Sequence, residues 1–135
     1  MKRFLYCLFL LPVIGFSQHD LSIEIHNVKT SNGTINVAVY DESEGFLKFD
    51  KVFTADSVMA NKGRTQIKIK DLPEGQYALA IFHDENGNNK LDTNWLGIPK
   101  EDIGFSNARM KTFGPPQFEE CAFRLKGHSQ IEISL

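Results

Sequence analysis

Between Leu21 and His26 apolar and polar residues alternate strictly, with Leu21, Ile23 and Ile25 on one parity and Ser22, Glu24 and His26 on the other. Successive side chains of a strand point to opposite faces, so this run predicts a half-buried β-strand. Asn32-Gly33 follows, a pair that accepts positive φ, and Ile35, Val37 and Val39 then alternate again. Residues 20–40 therefore read as a β-hairpin. Alternation returns in Thr65-Gln66-Ile67-Lys68-Ile69-Lys70, and Leu72-Pro73-Glu74-Gly75 makes a turn in which Pro fixes φ and Gly supplies a left-handed position. Gln76 to His83 is apolar on both parities (Tyr77, Leu79, Ile81 and Ala78, Ala80, Phe82), as expected of a central strand covered on both faces. The chain ends in Cys121–Leu125, a Lys126-Gly127 turn and alternating Ile131, Ile133 and Leu135, read as a second hairpin.

Two stretches break the period. From Asp41 to Asn61, Phe46, Phe49 and Phe53 recur at spacings of three and four, which suits a helical turn or an irregular edge. From Asp84 to Gln117 no period holds, and Gly97-Ile98-Pro99, Gly104-Phe105 and Gly114-Pro115-Pro116 punctuate the run. So long an irregular stretch in a small domain usually carries function. Short strands, turn chemistry and no long helical period give an all-β class, a single antiparallel β-sandwich of immunoglobulin-like or prealbumin-like type with a long irregular loop region 84–117.

The N-terminus alters what is delivered. Lys2-Arg3, the apolar run Phe4–Ile14 and the small residues around Gly15-Phe16-Ser17 follow the order of a secretory signal peptide, residues 1–17. That leaves 18–135 as one β-sandwich domain, directed to the periplasm, the cell surface or the exterior. The apolar run is too short to span a bilayer, and none elsewhere approaches the roughly 20 residues required. Loss of Lys2 and Arg3 moves the net charge from −2 to −4. With no basic cluster, this argues against nucleic acid and anionic membrane as partners. Cys121 becomes the single cysteine, so no intramolecular disulfide forms in an oxidising compartment. Its parity with Phe123 and Leu125 reads as burial on a strand face; a reactive thiol is the alternative.

One loop carries candidate chemistry. Asp84, Asn86, Asn88 and Asp92 stand at positions one, three, five and nine of His83-Asp84-Glu85-Asn86-Gly87-Asn88-Asn89-Lys90-Leu91-Asp92, with the Lys90 carbonyl at seven. Ca²⁺ takes six to eight oxygens at about 2.3–2.6 Å, and alternate residues of a curled loop aim oxygens at one point. The sixth position is Asn89 rather than Gly, and the twelfth is Trp95, which cannot ligate; Glu101 or Asp102 is the nearest substitute. Without flanking amphipathic helices an EF-hand is rejected, and two readings remain. One is a Ca²⁺ loop set in a β domain, with Asp84, Asn86, Asn88, Lys90, Asp92 and Glu101 as its ligands. The other is an Asn/Asp/Gly turn held by side-chain hydrogen bonds. Mg²⁺ suits so flexible a set less well, and His19, His26, His83 and His128 show no paired spacing for transition metals. His83 shares the parity of Ile81 and reads as structural. Gly104-Phe105-Ser106-Asn107 lacks the second glycine of a nucleophile elbow. Trp95 is expected over the end of the sandwich, with a sugar-stacking exposed ring as the alternative.

Leu72-Pro73-x-Gly75-x-Tyr77-Ala78, His83-Asp84-x-Asn86-x-Asn88-x-x-Leu91-Asp92, Gly97-Ile98-Pro99-x-Glu101 and Gly104-Phe105-Ser106-Asn107 together resemble the exported bacterial family called domain of unknown function 2141. A Gly commonly follows the glutamate in that family, where Asp102 stands here. The Leu-Pro-x-Gly-x-Tyr block is also similar to the opening of a strand in prealbumin-like and carboxypeptidase-regulatory-like sandwiches. The resemblance implies a bacterial envelope or secreted protein without implying an enzyme. The expected function is a non-enzymatic, monomeric envelope module with a Ca²⁺ loop, binding a glycan or a protein. The alternative is a hydrolase of envelope polymers using loop carboxylates.

Overall fold

The computed structural model describes residues 17–135 together with Pro12 and Gly15, so the signal-peptide reading of 1–17 falls on residues that, Pro12, Gly15 and Ser17 apart, lie outside the described ones. The strands are β1 (Gln18–Val28), β2 (Thr34–Tyr40), β3 (Thr54–Met59), β4 (Gly63–Pro73), β5 (Gly75–Asp84), β6 (Ile103–Phe105), β7 (Phe123–Leu125) and β8 (Ser129–Ser134), with one short helix, α1 (Phe118–Cys121). No described helix is long and apolar enough to cross a membrane.

The strands form two sheets. A three-stranded sheet runs β4-β1-β8, and a five-stranded one runs β3-β2-β5-β6 with β7 also paired to β5. Leu21, Ile23 and Ile25 of β1, Ile67 and Ile69 of β4 and Ile133 of β8 share one core with Ile35, Val37 and Val39 of β2 and Tyr77, Leu79 and Ile81 of β5. The apolar parity of each alternating run is thus the parity that meets the other sheet.

The all-β class holds, while the pairing differs from expectation in three places. Residues 20–40 do not form a hairpin: β1 pairs with β4 and β8, and β2 with β3 and β5. The Asn32-Gly33 turn, with Gly33 at φ 66°, carries the chain from one sheet to the other. Two alternating runs bury one face each whether they lie side by side or face each other, and here they face each other. Nor do the last two strands pair with each other, since β7 joins β5 and β8 joins β1. The β1–β8 ladder is parallel, so the domain is not wholly antiparallel.

The aperiodic stretches are largely ordered. Asp41–Asn61 contains a 3-10 turn at Phe49–Lys51 and then β3, whose polar Asp56 and Ser57 disguise it in sequence. The 84–117 region holds β6, and its C-terminal part joins a second cluster of Tyr40, Ala78, Phe105, Phe118 and Cys121. Phe46 also packs there, edge-on to both Tyr40 and Phe118. β5 is therefore covered on both faces, as its double apolar parity requires.

Ser106 fastens this outer layer. Its buried hydroxyl accepts the Leu79 N–H at 2.9 Å and donates to the Cys121 carbonyl at 2.6 Å. Gly104-Phe105-Ser106-Asn107 is accordingly a clamp, with the buried Ser106 hydroxyl engaged by backbone groups on both sides. Cys121 is buried as expected, but in α1 rather than on a strand. Tyr77, in the core, donates its hydroxyl to the Pro73 carbonyl at 2.7 Å and closes the Leu72–Gly75 turn.

Candidate functional site

The loop grows from the buried end of β5. His83 is fully buried; its Nε2 lies 2.7 Å from the Asn32 carbonyl, and its backbone N–H bonds the Asp102 carbonyl at 3.0 Å. It is a structural residue that ties the β1–β2 crossover and the far side of the loop to β5. Asp84 is also fully buried. Its carboxylate accepts the backbone N–H of Asn88 at 3.2 Å and of Asn89 at 2.7 Å. Those bonds curl the chain, helped by positive φ at Gly87 and Asn89.

Asn86 and Asn88 each brace the turn twice. Their side-chain oxygens accept the N–H groups of Asn88 and Lys90, while their amide nitrogens donate to Asp92 at 2.6 and 2.8 Å. Asp92 in turn donates its backbone N–H to Glu101 Oε2 at 3.2 Å. The bonds from Asn88 and Asn86 hold the Asp92 carboxyl below its usual range. Burial pushes Glu101 the other way, and the charges of Asp92 and Asp84 add to the effect. Glu101 Oε1 is shielded from solvent and has no hydrogen-bond partner.

All six residues read from the sequence thus join one hydrogen-bonded network, five of them through their side chains. Lys90 contributes its N–H to Asn88, and its side chain is exposed. The network satisfies Asp84 and Asp92 through protein donors and leaves one buried Glu101 oxygen unsatisfied. Asp102, the other downstream candidate, pairs instead with Lys29 at 2.8 Å.

Beyond Asp92 the chain makes a small hairpin, with a bridge between Thr93 and Pro99 and a bond from Lys100 N–H to the Asp92 carbonyl at 2.8 Å. Asn94 closes its tip by accepting the N–H groups of Leu96 and Ile98 at 2.9 and 3.0 Å. The tip leaves Trp95 91%, Leu96 60% and Ile98 55% exposed. Trp95 is therefore not packed over the end of the domain, because the hairpin projects it away. Two shallow clefts lie elsewhere, one lined by Glu24, Gln66 and Gln130 among others and one by Phe46, Pro115 and Phe118.

A second cluster escaped the sequence reading. Among the described residues, Glu24, His26 and Glu132 bring one ligand-type atom each within 4.8 Å of one another. Its only sequence trace is Glu24-x-His26, two residues on one strand face; Glu132 arrives through the β1–β8 register.

These features define an all-β domain of two sheets with an acid-and-amide loop beside an exposed aromatic tip. The chain belongs to a family of uncharacterised proteins conserved in bacteria, DUF2141, whose model matches residues 23–133. No curated protein and no solved structure matches it.

Proposed function

We propose that this chain is an exported, non-enzymatic module of the bacterial envelope, a prealbumin-like or immunoglobulin-like sandwich that uses the 84–101 end to bind a glycan. The observation that carries the reading is the exposure of Trp95 on a turn that hydrogen bonds hold in shape. An indole face held in water offers a stacking platform for a sugar ring, and the neighbouring amides and carboxylates offer hydrogen bonds to its hydroxyls. Export rests on the character of residues 1–17, and the bond from Tyr77 to Pro73 supports the sandwich type.

Ca²⁺ is the ion this loop suits. Asp84, Asn86, Asn88, Asp92 and Glu101 would supply side-chain oxygens and Lys90 its carbonyl. The unpartnered Glu101 oxygen fits that role, since a cation would relieve both its burial and its repulsion from Asp84 and Asp92. The ion would tighten the loop from which the Trp95 hairpin springs.

The test is calorimetry with soluble cell-wall glycan fragments, in Ca²⁺ and in chelator, beside melting curves in the same buffers. Binding and a Ca²⁺-dependent rise in melting temperature are expected, because a ligand that binds only the folded state stabilises it by mass action. Coincident melting curves would remove the ion from the proposal, and a protein partner in place of any glycan would redirect it.

The hydrolase reading has one observation in its favour: Asp92 and Glu101 are pushed to opposite sides of the usual carboxylate range, as in acid/base pairs. Neither residue lines the two clefts described above. Release of reducing ends from envelope polymers, lost in Glu101→Gln, would establish it.

A further inference from the structure

We infer that the outer face of the three-stranded sheet carries a second metal site, for a divalent transition ion such as Zn²⁺, formed by Glu24, His26 and Glu132. Glu24 and His26 are two residues apart on β1 and project from the same face. Glu132 stands beside Glu24 in the parallel β1–β8 ladder. Their ligand atoms lie within 4.8 Å of one another, and Glu24 Oε1 is 3.2 Å from His26 Nε2. Two donors at tetrahedral angles on a Zn²⁺ with bonds of about 2.0–2.2 Å stand about 3.3–3.6 Å apart. Imidazole with two carboxylates, leaving a position for water, is a Zn²⁺ donor set; Ca²⁺ and Mg²⁺ prefer oxygen alone.

Three observations point to a ligand rather than to surface charge. His26 Nε2 is itself shielded from solvent on a side chain that is 37% exposed, and it lacks a hydrogen-bond partner although Glu24 Oε1 lies 3.2 Å away. Glu24 is only 8% exposed although it faces away from the core. Like charges directly opposed on neighbouring strands are destabilising, yet Glu24 and Glu132 occupy such a pair. Gln130 Nε2 lies 3.2 Å from Glu24 Oε2, which orients the carboxylate. Arg64 is the competitor: its guanidinium lies 3.1 Å from Glu24 Oε1 at the end of a well-exposed side chain free to withdraw. An ion here would join the chain's last strand to β1 through side chains as well as through the ladder.

The test is titration of the tag-free protein with ZnCl₂, followed by calorimetry and by the His26 ring signals in NMR. One equivalent should bind and shift the His26 ring signals. His26→Ala and Glu132→Gln should each weaken binding by about 10-fold or more. Arg64→Gln should tighten it, and Zn²⁺ should raise the melting temperature of that variant more than that of the parent. His128→Ala is the control, since that ring packs against His19 at the other end of β1 and should leave the affinity unchanged. Unchanged affinity in both His26→Ala and Glu132→Gln would overturn the site. So would unmoved His26 signals at equimolar Zn²⁺, or a loss confined to His128→Ala.

Discussion

Asp84 Oδ2 accepts the backbone N–H of Asn89 at 2.7 Å from a fully buried position at the end of β5. Its other oxygen takes the N–H of Asn88, so one carboxylate serves two donors of the turn. Asn at this position keeps one acceptor and turns an NH₂ toward the other N–H. Asp84→Asn should therefore cost about 1–3 kcal/mol, the range for a buried donor left unsatisfied, and Asp84→Ala more. Urea unfolding followed by circular dichroism measures both. A midpoint unchanged in Asp84→Ala would mean that the loop does not depend on this carboxylate.

Gly33 meets the same strand end from the other side. It has φ 66°, and a Cβ built on it would collide with the Asp84 carbonyl oxygen and crowd the Glu85 backbone. These are backbone atoms, which cannot swing aside. Gly33→Ala should destabilise by about 2–4 kcal/mol through clash and left-handed strain together. Gly87 has a similar φ with nothing near its Cβ position, so Gly87→Ala should cost about 1 kcal/mol or somewhat more from strain alone. Comparing the two separates close approach from backbone conformation, and equal losses would contradict the distinction.

The loop carboxylates should respond to pH in opposite senses. Glu101 titrates above its ordinary 4.5, so its contribution to stability is complete below that value and is lost as pH rises through the raised one. Asp92 titrates below its ordinary 3.8, so its contribution is complete above that value and is lost as pH falls through the depressed one. Carboxyl NMR should show the Glu101 curve moving to lower pH when Ca²⁺ is added, because a bound cation favours the carboxylate. A Glu101 curve unmoved at saturating Ca²⁺ would exclude it as a ligand.

What the sequence made legible follows from what alternation encodes. Leu21-x-Ile23-x-Ile25 and Ile35-x-Val37-x-Val39 mark the inward face of each strand but not its neighbour, so strands were recognised and hairpins wrongly inferred. β6 and β7 are three residues each, too short for a period to show, and β3 is a polar edge. The residues of the 84–92 loop sit within a few positions of one another, and Glu101 is returned by the Thr93–Pro99 hairpin, so residues grouped by local spacing lie in one hydrogen-bonded network. Glu132 meets Glu24 only through a parallel register that spacing cannot carry. Trp95 was misjudged because tryptophan is usually mostly buried, and nothing in its immediate neighbours announces a projecting turn.

Cys121 should be inert in the folded protein. It has no exposed surface, and burial together with the Glu120 charge pushes its thiol up to about 11. At pH 8 the thiolate is then roughly a thousandth of the population, and solvent does not reach it. Ellman's reagent should detect no Cys121 thiol in native buffer and one equivalent of it in denaturant. Rapid modification of native protein would show that the outer layer held by Ser106 opens readily.

Trp95 offers the most direct separation of fold from function, since it is the chain's single tryptophan and lies almost wholly in solvent. It buries little on folding, so Trp95→Ala should leave the unfolding midpoint nearly unchanged, within about 0.5 kcal/mol. Its fluorescence in the parent should be that of a hydrated indole, quenched by iodide as readily as the free amino acid. A sugar stacked on the ring removes it from water, so binding should shift the emission to shorter wavelength and protect it from iodide. In Trp95→Ala the glycan affinity should fall by about 10-fold or more, the scale of a lost aromatic platform worth 1.4 kcal/mol or greater. Trp95→Phe should recover part of it, because a smaller ring still stacks. If Trp95→Ala binds glycan as the parent does, the tip is not the recognition surface. If it unfolds readily, Leu96 and Ile98 share with it a packing role that their exposure argues against.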